Sequence, residues 1–387
     1  MKIISIAGAR PNFMKLASIA HAIENFNVNK PADSKHSIEH LIVHTGQHYD
    51  YKMSESFFDD LCIPKPTFDL EVGSGTHAQQ TAEIMKRFEE VLLRETPDIL
   101  LVVGDVNSTI ACALVAAKIE YPPEHVLQRP IIVHVEAGLR SFDRGMPEEI
   151  NRILTDALSD LLFVTEESGL NNLKNEGCKS EKVHFVGNVM IDTLKYHLQK
   201  ANETTITTDL RLNRPFGLIT LHRPSNVDDP VLLKTLIECF VELSHYLNFV
   251  FPIHPRTRYN LNKFGIMSLL ENAKNIVLLE PLGYHDFLGL INQAALLLTD
   301  SGGIQEETTY LGVPCITLRE NTERPVTVTE GTNYLIGTDT KKISDAVLLI
   351  LEGKNKAAKV PKYWDGKAGD RIIKILVENI DKSMRKC

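Results

Sequence analysis

Cysteine is scarce in this chain of 387 residues: Cys62, Cys112, Cys178, Cys239, Cys315 and Cys387, with no CxxC pair among them. That excludes a zinc ribbon and a disulfide framework and reads as reduced thiols. No apolar run approaches the roughly 18 residues that cross a membrane. The apolar stretch in MKIISIAGARP is too short for a signal-peptide core and is broken by Arg10. The expectation is a cytoplasmic protein with no membrane partner. Excess positive charge is missing too, since 42 Lys and Arg stand against 50 Asp and Glu, for a net −8. A general nucleic-acid surface is therefore excluded, and any phosphate recognition has to be local. Low-complexity tracts and short repeats do not occur.

What is present is a 43% apolar and 24% charged composition at a length suited to two domains. Short β-branched runs alternate with helical patterns from end to end, as a parallel α/β sheet requires. Strands are expected near 3–7, 41–45, 99–103, 131–135, 161–164 and 183–186, and a second set near 216–221, 249–253, 276–279, 295–299, 315–318 and 334–336. A polar, Thr-rich stretch after Lys200 separates the sets. The simplest architecture is two Rossmann-like domains facing a cleft, 1–187 and 188–365. Ligands of open α/β sheets bind beyond the carboxyl ends of strands, and nearly every polar cluster here falls at such an end.

The clearest cluster is TDSGGIQEET, residues 299–308. An apolar strand breaks at Ser301-Gly302-Gly303 and restarts as a helix, whose unpaired N–H groups and positive dipole end make a seat for an anion. Ser301 is placed to cap the helix. Glu306 and Glu307 follow one turn on, where a carboxylate can reach a ribose diol, so a nucleoside diphosphate is the expected ligand. After the first strand, Arg10 offers a planar fork and Lys15 a point charge for a diphosphate. Asp105 follows the apolar run LLVVG and is either a helix cap or a catalytic acid. Glu136 in IIVHVEAG occupies a similar place, and glutamate is a poor cap. Glu148 and Glu149 open a Pro-initiated helix with Arg152 one turn later, and are either acids favoured by the helix dipole or functional groups. His222 and His254 each follow a strand, where a histidine is either structural or catalytic. GSGTHA at 73–78 imitates a dinucleotide fingerprint but lacks the preceding strand, so no nicotinamide site is expected. His44, His48 and Asp50 have no metal-ligand spacing, and no metal is expected.

Taken together, GARPNFMK, TGQHYD, VGDVNST, HVEAGLRS, MPEEINRILTD, LHRPSN, LTDSGGIQEE and TERPVTVTEGT resemble the non-hydrolysing UDP-N-acetylglucosamine 2-epimerase family, from Lys2 to about Asp339. The resemblance implies a glycosyltransferase-B type of fold, with a C-terminal helix of about 366–387 packing back on the first domain. It also implies a homodimer, no cofactor, and a UDP-sugar as the partner molecule. The acids and histidine of the family's reaction fall on Asp105, Glu136, Glu148 and His222. Diphosphate and uridine contacts fall on Arg10, Lys15, Ser301, Gly302, Gly303, Glu307 and Arg324, with Phe287 near the base. Arg324 and Phe287 come from the resemblance alone. The implied reaction eliminates UDP to a 2-acetamidoglucal and adds it back after protonation of the opposite face at C2. Gly8-Ala9-Arg10-Pro11-Asn12, LHRPSN and HPRTR resemble the branch acting on UDP-2,3-diacetamido-2,3-dideoxyglucuronate, whereas TERP and TEGT keep the pattern of the N-acetylglucosamine enzymes. A hydrolysing epimerase, a glycosyltransferase of the same fold and a non-catalytic UDP-sugar sensor are the competing readings.

Overall fold

A computed structural model describes residues 1–30, 37–46, 58, 60–212 and 215–384, with only the backbone described at 10–11 and 381–384. The chain divides into two compact units: Met1–Thr193 with Lys362–Cys387, and Leu194–Pro361. The divide falls inside the helix Val189–Asn202.

In the first unit the strands are β1 Lys2–Ala7, β2 Glu39–His44, β3 Phe68–Asp69, β4 Ile99–Val103, β5 Ile131–Ala137, β6 Leu161–Val164 and β7 Val183–Phe185. They form one parallel sheet in the order β3-β2-β1-β4-β5-β6-β7. Its central strands are near-continuous apolar runs because helices cover both faces: all five residues of β4 are buried. The helix Ala368–Met384 packs on Arg10–Asn29, close enough that a Cβ at Gly369 would meet the Ser18 carbonyl at 2.8 Å. The Gly369 N–H reaches Asp192 Oδ2 at 2.8 Å, which also ties this helix to Val189–Asn202. β3 has only two residues and no apolar run, and was not expected from the sequence.

The second unit holds β8 Phe216–Thr220, β9 Asn248–Pro252, β10 Ile276–Leu279, β11 Leu296–Thr299, β12 Cys315–Thr317 and β13 Asn333–Leu335. Their order is β10-β9-β8-β11-β12-β13, again all parallel. Its two longest helices start where the sequence supplies acceptors. Asp229 caps Pro230–Leu243 through the N–H groups of Val231 and Leu232, and Asp339 caps Thr340–Leu351 through those of Lys341 and Lys342. In each sheet the strand order reverses once, between β1 and β4 and between β8 and β11. These are the positions where an open α/β sheet leaves a crevice at its carboxyl edge.

Candidate active site

At the first unit's reversal point β4 ends in Gly104-Asp105, and the neighbouring β5 carries Glu136. Asp105 does not cap the next helix: the N-cap of Asn107–Lys118 is Val106. Instead Asp105 Oδ2 accepts from Arg152 Nε at 2.9 Å. Arg152 is buried and also ion-pairs with Glu149, one turn before it on the helix Pro147–Leu158. Glu149 further accepts from Ser141 N and Oγ and Phe142 N, which fixes the loop entering that helix. The structural reading therefore holds for Glu149, while Glu148 is half-buried in the first turn.

Glu136 departs from the sequence reading. It lies within β5 rather than beyond it, at a bulge where the register shifts between Val135 and Ala137. Its φ is +76°, in the left-handed region, and that conformation re-aims the side chain. The carboxylate forms a buried ion pair with Lys15. Gly104, at φ +65°, lies against this pair: a Cβ there would stand 2.7 Å from Lys15 Nζ and 3.3 Å from Glu136 Oε2. Lys15, Asp105 and Glu136 are thus gathered at one strand edge, whereas Arg10 has no described side chain.

Behind this edge lies a charged network that the sequence reading missed. Asp156, nine-tenths or more buried, has Oδ1 2.7 Å from His134 Nδ1, and its Oδ2 accepts from Gly138 N and Arg140 Nη2. His134 Nε2 donates to the Gly104 carbonyl at 2.8 Å. Burial acts to raise the Asp156 carboxyl, but His134 and Arg140 hold it below the usual range.

At the second unit's reversal point β8 leads to His222 and β11 to Asp300-Ser301-Gly302. The His222 Nδ1 is 2.8 Å from Asp300 Oδ1. Ser301 occupies the N-cap of Gly302–Leu311, yet its hydroxyl makes no cap hydrogen bond. The expected capping is absent, and the first-turn donors are not satisfied by that side chain. Glu307 is buried and accepts from Tyr284 OH at 3.2 Å; burial raises its carboxyl to about 7, against the lowering effect of the tyrosine. Arg324 is held by two buried carboxylates, Glu306 and Glu323, each at 2.8 Å. Glu323 in turn crowds Gly302, where a Cβ would come within 2.5 Å of its Oε1. Gly303 follows in the first turn. Phe287 packs on the cluster of Phe216, Leu218 and Leu297. His254 Nδ1 accepts from Arg256 N at 3.2 Å at a helix start, and its ring centroid stands 5.5 Å from that of His222.

In GSGTHA, Thr76 and Gln79 form a capping box, while Gly73 N–H reaches the Gly46 carbonyl and His77 Nδ1 lies 3.2 Å from Asn107 Oδ1. His44 pairs with Asp69 at 3.1 Å, and His48 and Asp50 lie outside the described residues. Among the described residues no group of three or more His, Cys, Asp or Glu could hold a metal. Asp300 was legible and overlooked: LLLTD places it after an apolar run, as LLVVGD places Asp105.

A family model described as UDP-N-acetylglucosamine 2-epimerase matches residues 30–377. The UDP-N-acetylglucosamine 2-epimerase of Methanocaldococcus jannaschii is 42% identical over 382 residues, covering 97% of this chain and 99% of that protein. A crystal structure of the enzyme from that organism in complex with UDP-GlcNAc and UDP superposes with a TM-score of 0.86 over 98% of this chain and 100% of that one. The UDP-2,3-diacetamido-2,3-dideoxy-D-glucuronate 2-epimerase of Pseudomonas aeruginosa is 40% identical over 381 residues, covering 98% of this chain and 100% of that protein. The fold is accordingly the glycosyltransferase-B type, built from two Rossmann-like domains.

Proposed function

Since the chain belongs to the UDP-N-acetylglucosamine 2-epimerase family, and is therefore an epimerase, we propose that it interconverts UDP-N-acetylglucosamine and UDP-N-acetylmannosamine without net hydrolysis. The hydrogen at C2 is not adjacent to a carbonyl, so simple enolisation cannot invert that centre. In the proposed route a base takes the C2 proton, the C2–H electrons become the C1=C2 bond, and the C1–O bond to UDP breaks. Re-addition reverses these changes after a proton is delivered to the other face of C2. Such an elimination needs a base near C2 and stabilisation of the departing diphosphate.

The observation that carries the reading is the gathering of Asp105, Glu136 and Lys15 at the first unit's reversal point. Asp105 or Glu136 handles C2 and Glu148 supplies the complementary proton. The helix start at Ser301-Gly302-Gly303, with Arg324 and His222, serves the diphosphate; Arg10 and Lys15 belong to the same binding set, Glu307 to the ribose and Phe287 to the base. The reading also carries a cytoplasmic homodimer, which light scattering tests for assembly.

The experiment is proton NMR of UDP-N-acetylglucosamine turnover in deuterated buffer. The expected result is deuterium at C2 and a gluco/manno mixture of UDP-sugars. Retention of the C2 proton refutes the route, and free N-acetylmannosamine with UDP identifies a hydrolysing enzyme. Asp105→Asn and Glu136→Gln are expected to abolish exchange while UDP affinity stays within about tenfold. A second reading, action on UDP-2,3-diacetamido-2,3-dideoxyglucuronate, is favoured by the 40% identity with the Pseudomonas enzyme. Turnover of the two sugars side by side separates them.

A further inference from the structure

In the second unit β8 and β11 run side by side with Thr220 in register with Thr299. The residues that follow each strand therefore emerge next to one another. Asp300 is fully buried there. Its carboxylate accepts from the His222 backbone N–H at 3.0 and 3.1 Å, from Arg223 N–H at 2.8 Å and from Asn226 Nδ2 at 3.2 Å. On top of these contacts the His222 ring nitrogen Nδ1 lies 2.8 Å from Oδ1. Burial by itself raises this carboxyl, but the hydrogen bonds and charge of His222, with the Arg223 N–H, hold it below the usual carboxylate range. An ionised carboxylate only accepts, so the contact requires a hydrogen on Nδ1.

The same side chain thus fixes the backbone that carries His222 and the ring itself. The histidine side chain is 34% exposed while its partner shows 0%, so one face of the pair is open to a ligand and the other is locked. A histidine held this way has its second ring nitrogen, Nε2, presented in a set direction, because the hydrogen bond at one nitrogen decides the role of the other.

We infer that Asp300 is a positioning residue for the reaction: it fixes the ring orientation of His222 and keeps a hydrogen on Nδ1, so that Nε2 is the atom presented to the diphosphate, to which it donates from the doubly protonated ring. This rests on the reading that His222 takes part in turnover, and it assigns to Asp300 a role separate from the anion seat at Ser301 and Gly302.

The test is a double-mutant cycle on the full-length protein, with epimerisation as the readout. His222→Gln is expected to lower kcat by about 100-fold or more, and Asp300→Asn by about 10–100-fold. The double variant is expected to fall no further than His222→Gln alone. If Asp300→Asn costs the same factor in both backgrounds, it acts on the fold and the inference is overturned while the His222 reading stands. If His222→Gln turns over like the unaltered protein, the reading beneath the inference fails instead. A measurement that needs no Asp300 variant is nitrogen-15 NMR of histidine-labelled protein, with His222 assigned by its loss in His222→Gln. A hydrogen-bonded Nδ1–H on His222 is expected, and a bare Nδ1 overturns the inference.

Discussion

Replacing Gly104 with alanine tests the arrangement of acids directly. The residue sits at φ +65°, where an L side chain costs about 1–2 kcal/mol. The new Cβ would also stand 2.7 Å from Lys15 Nζ. Gly104 cannot retreat, because its N–H is bonded to the Val135 carbonyl at 3.1 Å and its own carbonyl to His134 Nε2 at 2.8 Å. Lys15 therefore has to move, leaving the buried Glu136 carboxylate short of its partner. Complete loss of a buried pair costs about 3–5 kcal/mol, but Nζ ends a flexible chain and only part of that is expected. A combined loss of about 2–5 kcal/mol lowers the melting of a unit this size by about 4–20 °C. Gly312→Ala supplies the control, since that glycine has φ +75° with nothing within 4 Å of a built Cβ. It should cost only the conformational part, about 1–2 kcal/mol. Melting curves of both variants are paired with deuterium exchange at C2. Gly104→Ala should melt lower and lose exchange by about 100-fold or more, while Gly312→Ala keeps it. Equal melting shifts with exchange intact in both would refute the reasoning.

Three further outcomes follow from other contacts. Glu307 keeps a proton to about pH 7 in the fold, whereas the unfolded chain releases it near pH 4.5, so its contribution to stability is lost as pH rises through that window. Glu307→Gln should therefore gain on the unaltered protein by about 2–3 kcal/mol between pH 5 and pH 8; parallel thermal stabilities at the two pH values would contradict this. Arg152→Met removes the cation paired with the buried Glu149, which keeps its Ser141 and Phe142 donors, and should cost about 3 kcal/mol in denaturant titrations. Arg129→Met, which opens a partly exposed pair with Asp160, should cost about 1 kcal/mol or less; similar costs would show that burial is not the deciding factor. Ser301→Ala should leave stability within about 0.5 kcal/mol because no cap bond is lost, while Asp339→Ala should cost about 1 kcal/mol. A drop in UDP affinity for Ser301→Ala alone, by titration calorimetry, is the expected sign of a ligand contact.

The parallel sheets were legible because both faces are covered, so strands such as Ile99–Val103 and Leu296–Thr299 read as unbroken apolar runs closed by a polar residue. β3 was not legible, since two residues carry no periodicity. The site was visible as residue types at strand ends, but the pairings were not: Lys15 with Glu136 and Arg152 with Asp105 join residues far apart in the chain. The bulge at Glu136 leaves no mark either, because nothing in HVEAG distinguishes a left-handed glutamate inside a strand from an extended one at its end. Ser301 shows the opposite failure: the sequence has a good capping residue in the capping position, and the hydroxyl is not used for it.

The carboxyl edge of β4 and β5 carries three left-handed residues, Gly104 at +65°, Glu136 at +76° and Gly138 at +78°. Two are glycines, for which that conformation is ordinary. The glutamate between them is not: such a position costs of the order of 1–3 kcal/mol and persists only where its surroundings over-determine it. Here they do. Asp156 accepts from the Gly138 N–H on one side of the bulge and contacts His134 on the other, and His134 holds the Gly104 carbonyl of the next strand. One buried carboxylate therefore braces both strand ends. A residue selected for stability alone at position 136 would be glycine or asparagine. A glutamate there incurs the backbone strain and, even with Lys15 against it, the desolvation of an ion pair. Neither cost brings apolar packing, and the role proposed above for Glu136 at C2 of a sugar nucleotide supplies a compensation outside the folding balance.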